Sequence, residues 1–251
     1  MPIETARVRT PFAPALDLPP PFRLVTLREL GDAFAHAQSI AAAEGAGTLV
    51  WVGRFDLVEF AVVLEPEEPL RAARRAFYAG LAALADALAV HAPPEKPISF
   101  DWPDAVRVDG GLIGGGRLAW PAGGREDEPP PWLVFGATVR TVAMTEAEPG
   151  LRPLGAALED EGFDDLASGR LVESFARQLM AITDAWQESG FGVVAESYLS
   201  RLSAEPGFER MIDGAGDLLV RRAGKVAVKK HRLLPALAQP SWLDARTGGP
   251  K

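Results

Sequence analysis

ISFDWPDAVRVDGGLIGGGRLAW, residues 98–120, is the stretch on which the fold turns. Ile98 and Phe100 alternate with polar neighbours, the period of a strand. Trp102-Pro103-Asp104 interrupts it, because proline has no N–H to give a sheet. Val106 and Val108 share one face and Arg107 takes the other. Asp109-Gly110 is the pair that favours a tight hairpin, since positive φ is cheap there. The return arm holds Gly114, Gly115 and Gly116 before Arg117. Glycine weakens a strand, so three in a row need a reason. One is backbone approaching a ligand, with N–H groups turned to a carboxylate or phosphate. The other is a bulge, or a helix packed tightly across the strand. The spacing does not choose between them.

Toward the N-terminus, residues 1–22 are proline-rich and read as an extended arm over the domain surface. A short strand (23–26) and a helix (27–43) follow, the helix with Leu30, Phe34, Ala37 and Ala41 at helical spacing. Residues 48–52 and 57–64 read as strands joined by Gly53-Arg54-Phe55-Asp56. A long helix over 70–90 carries Phe77, Leu81, Leu84 and Leu88, with Arg71, Arg74 and Arg75 on a solvated face. Toward the C-terminus, 121–131 is an acidic loop and 132–144 a buried strand with Gly136 in its middle. Residues 166–189 form an amphipathic helix with Ser168 as its N-cap, and 193–202 a shorter one. From 206 the character changes. A hairpin over 218–221 and 225–228 brings Arg221, Arg222, Lys225, Lys229, Lys230 and Arg232 together. That run reads as a solvated, partly disordered tail, or else as a basic arm facing an acidic partner.

A chain of 251 residues, 47% hydrophobic and 24% charged, buries a full core without staples. It has no cysteine, which excludes disulfides, thiolate metal sites and cysteine nucleophiles. The net charge of −8 argues against a general nucleic-acid or anionic-membrane surface, and leaves room for a local basic patch. His36, His91 and His231 lack metal-ligand spacing, so no histidine metal site is expected. No apolar run approaches the ~20 residues of a membrane span. The N-terminus lacks the apolar core of a secretion signal, and the cytoplasm is the expected location.

The order of these elements resembles the biotin and lipoate protein ligase catalytic family over residues 24–203. Trp102-Pro103 matches its Trp-Pro. Asp104 stands where the family has asparagine. Leu112-Ile113-Gly114 matches a Leu-x-Gly segment, and Gly136 keeps one glycine of a Gly-x-Gly strand. The resemblance implies an α+β fold: a mixed, largely antiparallel sheet with packed helices (residues 1–205), of the class II synthetase-like type, plus a small C-terminal β appendage (206–251). It implies a pocket lined by Gly45, Gly47 and Trp51, by Trp102, Pro103 and Asp104, by Gly111, Gly114, Gly115, Gly116 and Arg117, and by Gly136. It also implies ATP, Mg²⁺ and biotin or lipoate as ligands, with an acyl-adenylate passed to a lysine of an acceptor protein domain.

The departures bear on the chemistry. Attack at phosphorus builds negative charge that cations must stabilise. The family's arginine-rich loop falls on Gly45 to Trp51, which is uncharged. Asp101 and Gly111 replace its lysines. Arg54, Arg107 and Arg117 are the cations left nearby. Asp101, Asp104 and Asp109 suit Mg²⁺ as hard ligands, or cap turns. Arg117 and Asp104 are the catalytic candidates. Two functions stand: acyl transfer of a biotin- or lipoate-like acid to a protein lysine, or a non-catalytic protein that binds a small acid or an acceptor domain on the same fold. A cation reaching the pocket separates them.

Overall fold

The computed structural model describes residues 16–29, 31–143, 155–163, 166–203 and 206–251. The strands are β1 (Arg23–Leu27), β2 (Thr48–Gly53), β3 (Leu57–Leu64), β4 (Ile98–Asp101), β5 (Ala105–Val108), β6 (Gly111–Ala119) and β7 (Leu133–Arg140). They form one seven-stranded sheet in the order β1-β2-β3-β7-β6-β5-β4. β1 runs parallel to β2, and every other pairing is antiparallel. This is the mixed, largely antiparallel sheet that the family resemblance implied.

Helices α3 (Ala76–His91), α4 (Ser168–Ser189) and α5 (Gly192–Arg201) cover one face. α3 is buried almost all round, as a helix apolar on every side must be. Gly80 lets Phe135 lie against it, since a Cβ there would stand 2.4 Å from the ring. Phe175 of α4 packs between Phe60 (centroids 4.4 Å apart) and Phe135 (5.8 Å). The opposite face is only partly covered. There α1 (Ala33–Glu44) lays Ala33, Ala37 and Ala41, small residues four apart, on Val50, Val52, Ala61 and Val63.

Several boundaries differ from the sequence reading. α1 starts at Ala33, not residue 27, because Asp32 caps it by accepting from the Ala35 N–H at 2.8 Å. The helix read over 70–90 is two, α2 (Leu70–Ala73) and α3, with Arg74 and Arg75 in tight turns between them. Arg74 is not solvated. It is 5% exposed, paired with Glu126 and stacked 4.7 Å from the Trp120 ring. Ala167, not Ser168, is the N-cap of α4, and it makes no side-chain bond. The N-terminal arm lies outside the described residues up to 15; beyond them, Leu16 and Leu18 pack on the core. Met144 is also outside them.

The C-terminal part is the small β appendage expected, and the basic run read as a partly disordered tail lies within it. β8 (Phe208–Ile212), β9 (Leu218–Arg222) and β10 (Val228–His231) form a three-stranded antiparallel sheet, followed by α6 (Leu233–Leu237). Arg221 pairs with Glu209, and Lys230 with Asp213 and Asp217. The appendage joins the body through Ile212, Leu218 and Leu233, which belong to the main core, and through polar bonds. The Tyr78 hydroxyl donates to the Gly216 carbonyl at 2.7 Å and accepts from the Trp102 indole N–H at 3.2 Å. Burial pushes the Tyr78 phenol up, so it stays a donor. Residues 241–251 leave this appendage and return to the large sheet, where the Ser241 backbone N–H donates to Asp104.

Tyr78→Phe leaves the Gly216 carbonyl and the Trp102 N–H unpaired. It should cost about 1–3 kcal/mol in denaturant unfolding. Amide exchange should quicken in β8, β9 and β10 more than in β3 and β7. Equal acceleration everywhere would mean that this hydroxyl is not the joint.

Candidate functional site

Strand register lays out the α1 face of the sheet as a grid. Glu59, Thr138, Gly115 and Ala105 lie abreast across β3, β7, β6 and β5. Ala61, Gly136 and Arg117 form the next row. Adjacent strands lie about 4.8 Å apart and side chains two apart share a face, so Thr138, Gly115 and Arg117 are near neighbours.

Two structures roof this grid. The first turn of α1 covers one side. The Ala33 N–H donates to the Glu59 carboxylate at 2.8 Å, and the Phe34 ring fills the space over Gly136, 2.5 Å from where a Cβ would stand. The C-terminal segment covers the other. The Trp242 indole lies 2.3 Å from the Cβ position of Gly115, and its N–H donates to the Gly116 carbonyl at 3.1 Å.

Between the roofs sits Arg117, its side chain 18% exposed. Its guanidinium lies 4.4 Å from the Phe34 ring centroid and 3.8 Å from Asp32. The buried Nε has no hydrogen-bond partner among the described residues, and neither has the fully buried Thr138 Oγ1. Burial lowers the Arg117 pKa, against the pull of Asp32 and Glu59. Arginine stays charged all the same. Glu59 is 6% exposed. Burial raises its carboxyl above the ordinary value, the Ala33 N–H opposes this, Asp32 adds to it, and Arg117 and Arg54 oppose it. The site is therefore a dry cation with incomplete partners, an anion at a helix start and an unpaired hydroxyl.

The residues predicted for the site divide. Arg117 and Gly136 lie on this face, and Gly115 beside them. Gly45 and Gly47 do not. Gly45 is the C-cap of α1 at φ +74°, and Gly47 bonds Val63 at the other end of β3 from Glu59. A Cβ on Gly47 would stand 2.1 Å from the Pro21 carbonyl. Trp51 is on the opposite face, in the core beneath α4. Trp102 bonds Tyr78 and meets the His231 ring at 5.6 Å, while the Pro103 carbonyl accepts from the Tyr198 hydroxyl at 2.8 Å. Both hold the fold together. The Asp104 carboxylate accepts from the Ser241 N–H at 2.8 Å and from its Oγ at 2.5 Å, so it clamps the C-terminal segment and is not open to a ligand in this state.

In this structure each glycine of the run stands close to protein atoms. A bulge falls between Val106 and Arg107. A Cβ on Gly114 would stand 1.9 Å from the Thr138 carbonyl and on Gly115 2.1 Å from that of Asp104, while Gly116 meets Leu81, Phe135 and Phe77 at 3.0–3.2 Å. Gly111 faces Ala156 at 2.5 Å. Arg54 pairs with Asp56, and Arg107 with Asp101. Asp109 turns the hairpin at φ +48° and pairs with Lys96. Among the described residues no three His, Cys, Asp or Glu side chains are placed to hold a metal ion. Sequence reasoning missed Glu59, Thr138 and Trp242. Glu59 was legible only as a carboxylate inside an otherwise apolar strand.

Residues 18–200 match the model of the biotin/lipoate A/B protein ligase family. No curated protein matches the chain. Among solved structures, a biotin protein ligase-like protein of unknown function from Silicibacter sp. TM1040 is 26% identical, with a TM-score of 0.75 over 90% of this chain and 100% of that one. The biotin protein ligase of Aquifex aeolicus is 13% identical, with a TM-score of 0.61 over 84% of this chain and 99% of its own. That of Leishmania major, solved with biotinyl-5-AMP, is 17% identical, with a TM-score of 0.54 over 84% and 98%.

Arg117→Met should sharpen the pH dependence of stability. The folded Glu59 carboxyl already titrates above its ordinary 4.5, so stability falls as pH rises through that window. Without Arg117 the folded value climbs further and the fall is larger, by about 1.4 kcal/mol per unit. Denaturant unfolding at pH 5 and pH 8 checks this: the gap between variant and wild type should widen at pH 8. A constant gap would show that Arg117 does not act on Glu59.

Proposed function

The chain belongs to the biotin/lipoate A/B protein ligase family, and from that premise we propose that it binds a small biotin- or lipoate-like carboxylic acid on the α1 face of its sheet, with Arg117 as the carboxylate's partner. The observation that carries this reading is Arg117 itself: a buried cation whose Nε is unpartnered and whose nearest carboxylate is 3.8 Å away. A ligand carboxylate would supply the missing acceptor, and charge-assisted bonds in a dry site are the strong ones. Thr138 Oγ1 adds a hydroxyl donor one strand away. The apolar body of such an acid would lie against Phe34 and the glycines.

Binding is favoured over adenylation on charge. ATP and Mg²⁺ need several cations and free carboxylates in one place. Here Arg54 is held by Asp56, and Asp104 is held by Ser241. Asp32 and Glu59 offset Arg117. Acyl transfer to a protein lysine rests on family membership alone. The cytoplasm and a domain division near residue 205 are assigned as part of the same proposal. Among the described residues no helix is long and apolar enough to cross a membrane.

Calorimetric titration with biotin, lipoate, octanoate and ATP·Mg, singly and in pairs, tests the reading. One acid should bind without ATP, and Arg117→Met should weaken it at least ~10-fold, about 1.4 kcal/mol. Binding of an acid only with ATP, with an acyl-adenylate formed, would replace it by an active ligase. No binding at millimolar acid would overturn it.

A further inference from the structure

We propose that residues 241–251 are a removable cover over the carboxylate site, seated by Trp242 and displaced when the acid binds. The inference rests on the site assigned above and adds its regulation. Trp242 is 1% exposed and stands over Gly115, whose neighbours on the same face are Thr138 across the ladder and Arg117 two residues along. The indole thus occupies the space beside the two unpartnered polar atoms, and it satisfies neither. Its own N–H is spent on the Gly116 carbonyl.

The cover is built to come away as a unit. It closes on itself: the Asp244 N–H donates to the Gly249 carbonyl at 2.9 Å, the Lys251 N–H to the Trp242 carbonyl at 2.9 Å, and the Lys251 ammonium to the Ser241 carbonyl. Its ties to the body include the Ser241 donors to Asp104, the Trp242 indole, Arg140, which donates to the Pro250 and Lys251 carbonyls, and the buried Gly249, whose Cβ position lies 3.6 Å from Leu57. Residues 245–248 are exposed. The apolar seat of Trp242 is a small cluster with Ala105, Leu112 and Leu243, separate from the two clusters that bind helices to the sheet. Lifting the cover therefore leaves both main layers intact. It also returns Asp104 to water, and burial is the main force raising that carboxyl's pKa.

The closed state leaves the Arg117 Nε and Thr138 Oγ1 unpaired, and the open state with an acid bound pairs them. That difference in contacts is what lets a ligand shift the equilibrium. The glycine run fits the same account. Any side chain at 115 would collide with the indole and with the Asp104 carbonyl, so the strand is bare where the cover lands.

Hydrogen exchange on the full-length protein, with calorimetry of biotin, lipoate and octanoate on wild type, Trp242→Ala and Ser241→Pro, tests the cover. Ser241→Pro removes both donors to Asp104 without emptying the indole seat, and so guards against misfolding of the tryptophan variant. The Ser241 and Lys251 amides should exchange at least ~100-fold faster than those of β7 by local opening. Both variants should bind the acid at least ~10-fold tighter than wild type, because they remove a competing closed state. Exchange of the segment only together with β7 would make it a fixed part of the fold and overturn the cover. Equal or weaker binding by the variants would overturn it while leaving the carboxylate site standing. Absence of binding in all three proteins would overturn the site and the cover together.

Discussion

A bare patch of backbone at the centre of the sheet is the constraint on which the rest depends. β6 and β7 carry Gly114, Gly115, Gly116 and Gly136 side by side with the small Ala105, Ala137 and Ala61 across the ladder. Three bodies come close because those Cβ atoms are missing. Phe34 of α1 drops over Gly136, Trp242 over Gly115, and the α3 layer presses Leu81 and Phe77 toward Gly116. A strand of glycines gains nothing from propensity and loses chain entropy. It persists here because β6 is paired with β5 over residues 111–115 and with β7 over residues 114–119, and is packed from above and below.

That constraint also explains how much was legible. Alternation exposed β3 and β5, because the larger apolar residues Val58, Phe60, Val62, Val106 and Val108 all point to the α3 and α4 face, even though β3 is buried on both faces. Residues Leu171, Phe175, Leu179 and Ile182 gave α4, because one stripe faces the sheet. β8 was invisible: Phe208 and Met211 are exposed and Glu209 and Arg210 sit between them, so no buried face repeats. The break between α2 and α3 left no glycine or proline behind. It comes from Arg74 turning in toward Glu126 and Trp120, a contact across 52 residues.

The candidate site was harder, for a different reason. Glycine spacing signals close approach and says nothing about what approaches. Cation counting needs no fold, because a missing lysine is missing wherever the chain goes, and it singled out Arg117. Asp104 was misread as available. Its partner, Ser241, lies 137 residues away in a segment whose composition reads as polar tail. Glu59 was passed over because an alternating strand normally puts its charge in water. Only the start of α1, arriving over β3, makes a carboxylate stable there, by offering the Ala33 N–H and the positive end of the helix.

Charge balance then limits what this face can hold. Arg117 stands beside Asp32 and Glu59, so the local field already leans negative. A polyphosphate would bring several more negative charges into a site walled by aromatic rings, where Coulomb energies are several times those in water. The monocarboxylate proposed for it would bring one, toward one guanidinium whose Nε has no partner among the described residues. The fold is that of enzymes crystallised with biotin, ATP and biotinyl-5-AMP. Yet the fold supplies only the sheet and the roof positions; the ligand's charge is set by which side chains stand between them.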